Sequence, residues 1–304
     1  INWDGGAYFM KRPLFTGACT ALVTPFLNGE VNYPMLERLI SRQLEAGIRA
    51  IVLCGTTGES ATLDDEEKLE IIARAKEYTK DDCLIIAGTG SNSTEHTVRL
   101  SSAAEEAGAD ALLLVSPYYN KATAEGLYQH FRAAALSVGI PIILYNVPSR
   151  TGVDIPVGVY RRLSALPNIA GVKEATGDMA KILAIRAQCP ADFSVWSGCD
   201  ELTVPILSLG GKGVISVLSN LYPELTQTMV RAGLDGDFDT AADLQIRFAP
   251  IIRALFSQVN PIPVKAAMRL LGYDCGACRL PLTAPSDALL HQLEALLRLP
   301  ETKR

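Results

Sequence analysis

Eight short apolar runs recur along this chain, each followed by a stretch with helical character, and this alternation limits the fold more than any other feature. The first run, Ala18–Phe26, is expected to be a strand that stops against Pro25. The others are Ala50–Cys54, Leu84–Ala87, Ala111–Val115, Pro141–Tyr145, Ile169–Val172, Phe193–Trp196 and Gly213–Val217. Between the first two, Leu36, Leu39, Ile40 and Leu44 recur at helical spacing from Tyr33 until Gly47. Asp64, Ser93, Thr123 and Asp178 stand where later helices open, and three acids follow Asp64 in its first turn, which suits the helix dipole. Pro156 begins a shorter helix. Strands that are apolar on both faces and separated by helices form a parallel sheet covered by helices. Eight such units in about 210 residues predict an α/β fold, a (β/α)8 TIM barrel. The competing doubly wound sheet lacks its nucleotide signature: no Gly-x-Gly-x-x-Gly follows the first strand, and there is no P-loop. From Pro223 the pattern is helical only, over 223–233, 237–257, 261–271 and 284–297, which predicts a C-terminal helical appendage. The expected division is therefore a barrel over 10–222 and a helical domain over 223–304. Residues 1–9, ahead of Met10, read as an extension or expression remnant and not as a signal peptide.

Composition removes several function classes. A net charge of -5 with scattered basic residues offers no face for nucleic acid. No apolar run approaches the roughly 18 residues of a membrane span. Seven cysteines, an odd number spread through apolar segments, point to reduced thiols in a cytoplasmic protein, and Cys275-Gly-Ala-Cys278 has no second pair to make it a metal site. Three histidines, His96, His130 and His291, are too dispersed for the ligand cluster of a zinc aldolase, so neither a metal nor another cofactor is expected.

One residue breaks the apolar pattern in a useful place. Lys173 follows Ile169-Ala-Gly-Val172 at the end of the sixth run. An ammonium taken out of water gives up its proton more readily, and a free amine is a competent nucleophile toward a carbonyl. In a barrel of this kind the active site lies at the C-terminal strand ends. There the sequence places Thr56 and Thr57 between Gly55 and Gly58, an anion cradle suited to a carboxylate. It also places Tyr118, Tyr119 and Asn120 after the fourth strand, Tyr145 ending the fifth, and Arg150 five residues on. Tyr145 is suited to relaying protons and Arg150 to clamping a second carboxylate. An amine, a proton relay and two carboxylate sites fit Schiff-base chemistry on a 2-oxo acid. The protonated imine is the electron sink, and the enamine attacks a second carbonyl.

Gly55-Thr-Thr-Gly-Glu-Ser60, Pro117-Tyr-Tyr-Asn120, Leu144-Tyr-Asn-Val-Pro-Ser-Arg-Thr-Gly152 and Gly171-Val-Lys-Glu-Ala175 resemble the dihydrodipicolinate synthase (4-hydroxy-tetrahydrodipicolinate synthase) family from Phe15 to the C-terminal helices. The resemblance implies condensation of pyruvate with L-aspartate 4-semialdehyde on the diaminopimelate route to lysine. It implies Lys173 as the Schiff-base lysine, Tyr145 as proton donor and acceptor, and Thr57 as the link from Tyr145 to Tyr119. Substrate contacts are implied for Thr56, Thr57, Arg150, Gly198 and Ile215. A homotetramer, a dimer of dimers with Tyr119 crossing the dimer interface, is implied as well. The glycine–threonine loop and the lysine also resemble N-acetylneuraminate lyase and 2-keto-3-deoxy sugar acid aldolases, but the Ser149-Arg-Thr-Gly152 segment narrows the resemblance, since the sialic-acid lyases lack its arginine. An inactive 2-oxo acid binding barrel is the reading from another class, and it expects a loss at Lys173, Tyr145 or Thr57, all of which are present. Finally, the resemblance implies an effector-lysine cleft at Ser60, Ala61, Asn92, His96 and Tyr118, of which Ser60, Ala61, Asn92 and Tyr118 match the family's pattern. Asp65, Lys68 and His96 stand where lysine-sensitive members carry two histidines and a glutamate.

Overall fold

The computed structural model describes residues 13–297; the reading of residues 1–9 lies outside them. Eight parallel strands close on themselves: β1 (Gly17–Ala21), β2 (Ala50–Leu53), β3 (Leu84–Gly88), β4 (Ala111–Val115), β5 (Ile142–Asn146), β6 (Ile169–Glu174), β7 (Ser194–Ser197) and β8 (Gly213–Ser216). Each pairs with its sequence neighbours, and β1 pairs with both β2 and β8 to complete the barrel. The expected (β/α)8 architecture is borne out. Alternation along the strands divides the apolar residues into two layers. Cys19, Val52, Ile86, Ile143, Trp196 and Ile215 fill the barrel, while Leu53, Ile85, Leu112, Leu144 and Val195 pack outward under the helices.

The caps fall where the sequence placed them. Asp64 accepts from the Glu67 N–H at 2.7 Å and Glu67 returns a bond to the Asp64 N–H, a capping box. Ser93, Thr123 and Asp178 cap the helices that begin at Thr94, Ala124 and Met179.

Most boundaries fall within a few residues of expectation, and three differences matter for the architecture. β1 ends at Ala21, four residues short of Pro25; the chain then makes a small antiparallel hairpin, Phe26–Leu27 with Glu30–Val31. β6 runs two residues past the apolar stretch, so Lys173 and Glu174 are ladder residues. The helix Pro223–Leu234, counted with the appendage in sequence, packs Met229 and Val230 against Ala18 and Val214 and is the barrel's eighth helix. The helices Phe238–Leu255, Ile262–Leu270 and Asp287–Leu297 lie beyond it. Among the described residues, no helix is long and apolar enough to cross a membrane.

Candidate active site

β5 and β6 set Tyr145 opposite Lys173 and Asn146 opposite Glu174. Successive strand residues face opposite ways, so one pair enters the barrel and the other lies beneath the helices. Inside, the Lys173 Nζ stands 4.4 Å from the centroid of the Tyr145 ring, and both side chains are buried. Three other lysines are buried, and each has a carboxylate: Lys68 has Asp65 at 3.7 Å, Lys265 has Glu59 at 2.7 Å, and Lys181 has Asp154. Among the described residues, Lys173 is the buried lysine with no carboxylate within salt-bridge distance.

The outer pair holds the inner one in register. Glu174 accepts from Asn146 Nδ2 at 2.8 Å, from the N–H groups of Ala175 and Thr176, and from the Tyr160 hydroxyl at 3.1 Å. Burial pushes its carboxyl above the usual carboxylate range, while Lys181 and these donors pull it back. Asn146 also bonds Asp154 and the Ile155 N–H, which fastens the loop carrying Arg150. Arg150 itself lies in a short helix, Pro148–Thr151, that ends on Gly152 in the left-handed region, a turn not anticipated from the sequence.

The loop after β2 approaches the site under constraint. Cys54 and Glu59, at either end of Gly55–Gly58, have φ values of 54° and 56°, a region that non-glycine residues occupy at a cost. Tertiary bonds hold them there. Thr24 Oγ1 donates to the Gly58 carbonyl, and the Glu59 carboxylate accepts from Lys265 and from the Arg279 N–H at 2.9 Å. The Thr57 hydroxyl accepts from Asn260 Nδ2 at 2.9 Å; within one chain it has no hydrogen bond to Tyr145 or Tyr119. Asn260 escaped the sequence reading, since 203 residues separate it from Thr57 and only its side chain marks the contact.

Thr56, Thr57, Tyr145, Arg150, Lys173 and Gly198 all line one cavity of about 390 Å³. Gly198 is needed as glycine: a Cβ there would come within 2.9 Å of the Ala175 Cβ and 3.1 Å of the Lys173 Cγ. Ile215 lies lower, in the barrel's inner cluster, and its neighbour Val217 reaches the cavity wall. Tyr119 is 90% exposed at φ 71° and does not line the cavity of its own chain. A second, larger space of about 690 Å³ adjoins the first along Gly55, Thr56, Tyr145 and Asn260. Ser60, Ala61, Asn92, His96 and Tyr118 line it together with Asp65 and Lys68. His96 Nε2 contacts both Asp65 oxygens at 3.0 Å, and Arg99 reaches one of them at 3.1 Å.

A family model described as the dihydrodipicolinate synthetase family matches residues 14–299. The chain belongs to this family. It is 51% identical to the 4-hydroxy-tetrahydrodipicolinate synthase of Lachnoclostridium phytofermentans, covering 90% of this chain and 94% of that one. It is 47% identical to that of Acetivibrio thermocellus, covering 95% and 98%. A crystal structure of dihydrodipicolinate synthase from Aquifex aeolicus superposes with a TM-score of 0.92 at 44% identity, covering 93% of this chain and 97% of the other. The resemblance carried by the four motifs is thus borne out along the whole barrel and the C-terminal helices.

Proposed function

We propose that this member of the dihydrodipicolinate synthetase family is a cytoplasmic 4-hydroxy-tetrahydrodipicolinate synthase, condensing pyruvate with L-aspartate 4-semialdehyde through an imine on Lys173. The observation that carries this reading is Lys173 itself: buried, opposite Tyr145, and without the carboxylate that every other buried lysine among the described residues has. Its nitrogen attacks the pyruvate ketone to give a carbinolamine. Tyr145 moves the protons as water leaves and the protonated imine forms. Loss of a methyl proton gives the enamine, whose carbon attacks the aldehyde. Thr56 and Thr57 hold the pyruvate carboxylate, with Asn260 orienting the Thr57 hydroxyl. Arg150 clamps the carboxylate of the semialdehyde, and Gly198 leaves room beside Lys173. Ile215 supports the site from below, with its backbone near the imine.

Tyr119, extended from its own chain, completes the Thr57–Tyr145 relay of a neighbouring copy in a homotetramer arranged as a dimer of dimers. The adjoining cleft does not take L-lysine as an effector, because Asp65, Lys68, His96 and Arg99 form an ion cluster there and Lys68 repels an ammonium.

Two measurements test the reading. Pyruvate with borohydride is expected to add one reduced pyruvyl group, at Lys173; labelling at another lysine, or none, overturns the mechanism. A coupled assay is expected to show turnover with the semialdehyde and none with N-acetylmannosamine. The reverse result would identify a sialic-acid lyase.

A further inference from the structure

The cavity wall carries two charged side chains without a role in the scheme above. Glu201 lies in the short 3-10 turn Asp200–Leu202 directly after β7, and Arg253 lies on the helix Phe238–Leu255. Among the residues lining this cavity, Lys173, Arg150 and Arg253 are cationic, and Glu201 alone is a carboxylate. Its side chain is about half exposed and meets Arg253 Nε at 3.7 Å, while that nitrogen also donates to the Ala249 carbonyl of its own helix. An exposed pair at this separation is weak, so the Glu201 oxygens remain available to a ligand.

The neighbouring Asp200 has a different part. Its buried Oδ2 accepts from the N–H groups of Val217 and Leu218, and its carbonyl accepts from Thr203 Oγ1 and from Gln245 Nε2 at 2.9 Å. Asp200 thereby fixes the turn, and Glu201 is presented to the cavity from a rigid support.

Under the reading above, on which this inference rests, the second substrate is an amino-aldehyde carrying both a carboxylate and an ammonium. Arg150 provides for the carboxylate. A cation in a cavity otherwise lined by positive and neutral groups has one anionic partner there. We infer that Glu201 binds the α-ammonium of the aldehyde substrate and sets the preference for an amino-aldehyde over the same chain without nitrogen. Arg253 holds the Glu201 carboxylate at the wall until the ammonium displaces it.

The test compares L-aspartate 4-semialdehyde with succinic semialdehyde, which has the same chain and carboxylate but no amino group. Succinic semialdehyde is followed as a substrate or, without turnover, as a competitive inhibitor. Glu201→Gln is expected to raise KM for the amino-aldehyde about tenfold, as for a lost charge-assisted hydrogen bond. The constant for succinic semialdehyde should stay within about twofold, and the KM for pyruvate should do the same. A discrimination ratio unchanged in Glu201→Gln overturns the inference, as does an equal loss for both aldehydes. Wild-type protein that turns over no aspartate semialdehyde overturns the reading of the second substrate itself, a result visible before any variant is made.

Discussion

Lys173 and Lys265 are both buried near the same end of the barrel, yet their surroundings differ in kind. Lys265 stands on the helix Ile262–Leu270 and meets Glu59 at 2.7 Å, with the Phe26 ring 4.4 Å away. Its charge is matched, and the pair ties the C-terminal helices to the constrained loop that carries Thr56 and Thr57. Lys173 meets an aromatic face, a glycine and a cavity. Burial does not tell these lysines apart; the presence of a carboxylate does. A matched ammonium is a structural tie, whereas an unmatched lysine nitrogen beside open space is placed to meet a substrate carbonyl.

The sharpest way to break this contrast is to remove each amine. Lys173→Ala is expected to lower turnover by several orders of magnitude, since covalent catalysis is lost outright, while thermal unfolding shows the fold retained. Lys173→Arg should do no better, because a guanidinium keeps its proton. Lys265→Met should act in the opposite sense. It leaves the Glu59 carboxylate buried without its cation, a change that costs about 3–5 kcal/mol. Urea unfolding should show that loss, and Lys265→Met with Glu59→Gln should recover part of it. Borohydride trapping on the folded fraction should still label Lys173. If Lys265→Met kept full stability, the distinction between a tie and a nucleophile would fail.

Arg150 extends the contrast to an exposed cation that lines the same cavity as Lys173. Arg150→Ala should raise KM for the semialdehyde roughly ten- to a hundredfold, from the loss of about 1.5–3 kcal/mol of charge-assisted bonding. Pyruvate should be affected less. Equal losses for both substrates in a folded variant would make Arg150 a structural residue.

Lys68 lies between the extremes, buried but loosely matched to Asp65 at 3.7 Å in the adjoining cleft. The expected effect here is the smallest: added L-lysine, with both substrates near KM, should leave the initial rate nearly unchanged. Half-inhibition below about 1 mM, equivalent to roughly 4 kcal/mol of binding, would show that the cleft accepts a cation despite Lys68.

Much of this site was legible along the chain. Lys173 stood out because a charged residue ends an apolar run, and Tyr145 because the neighbouring run ends on it. The glycines around Thr56 and Thr57 announced a loop with free backbone. The prolines and capping residues placed the helix starts, as Asp64 and Ser93 show.

What sequence alone determined was therefore whatever has a local period or a local steric cause: the eight alternations, the caps, and the residues at the strand ends. Tertiary structure decided which of those residues meet. Asn260 reaches Thr57 across 203 positions, Lys265 reaches Glu59 across 206, and Glu201 shares a cavity with Arg150 only because the barrel closes. It also decided that, among the described residues, Lys173 has no carboxylate within salt-bridge distance while Lys181, eight positions later, has two within reach. Local patterns arise from the repeat of a strand or a helix, which neighbouring residues fix among themselves. Partnership between distant charges depends on ring closure and helix packing, and no spacing in the chain encodes that directly.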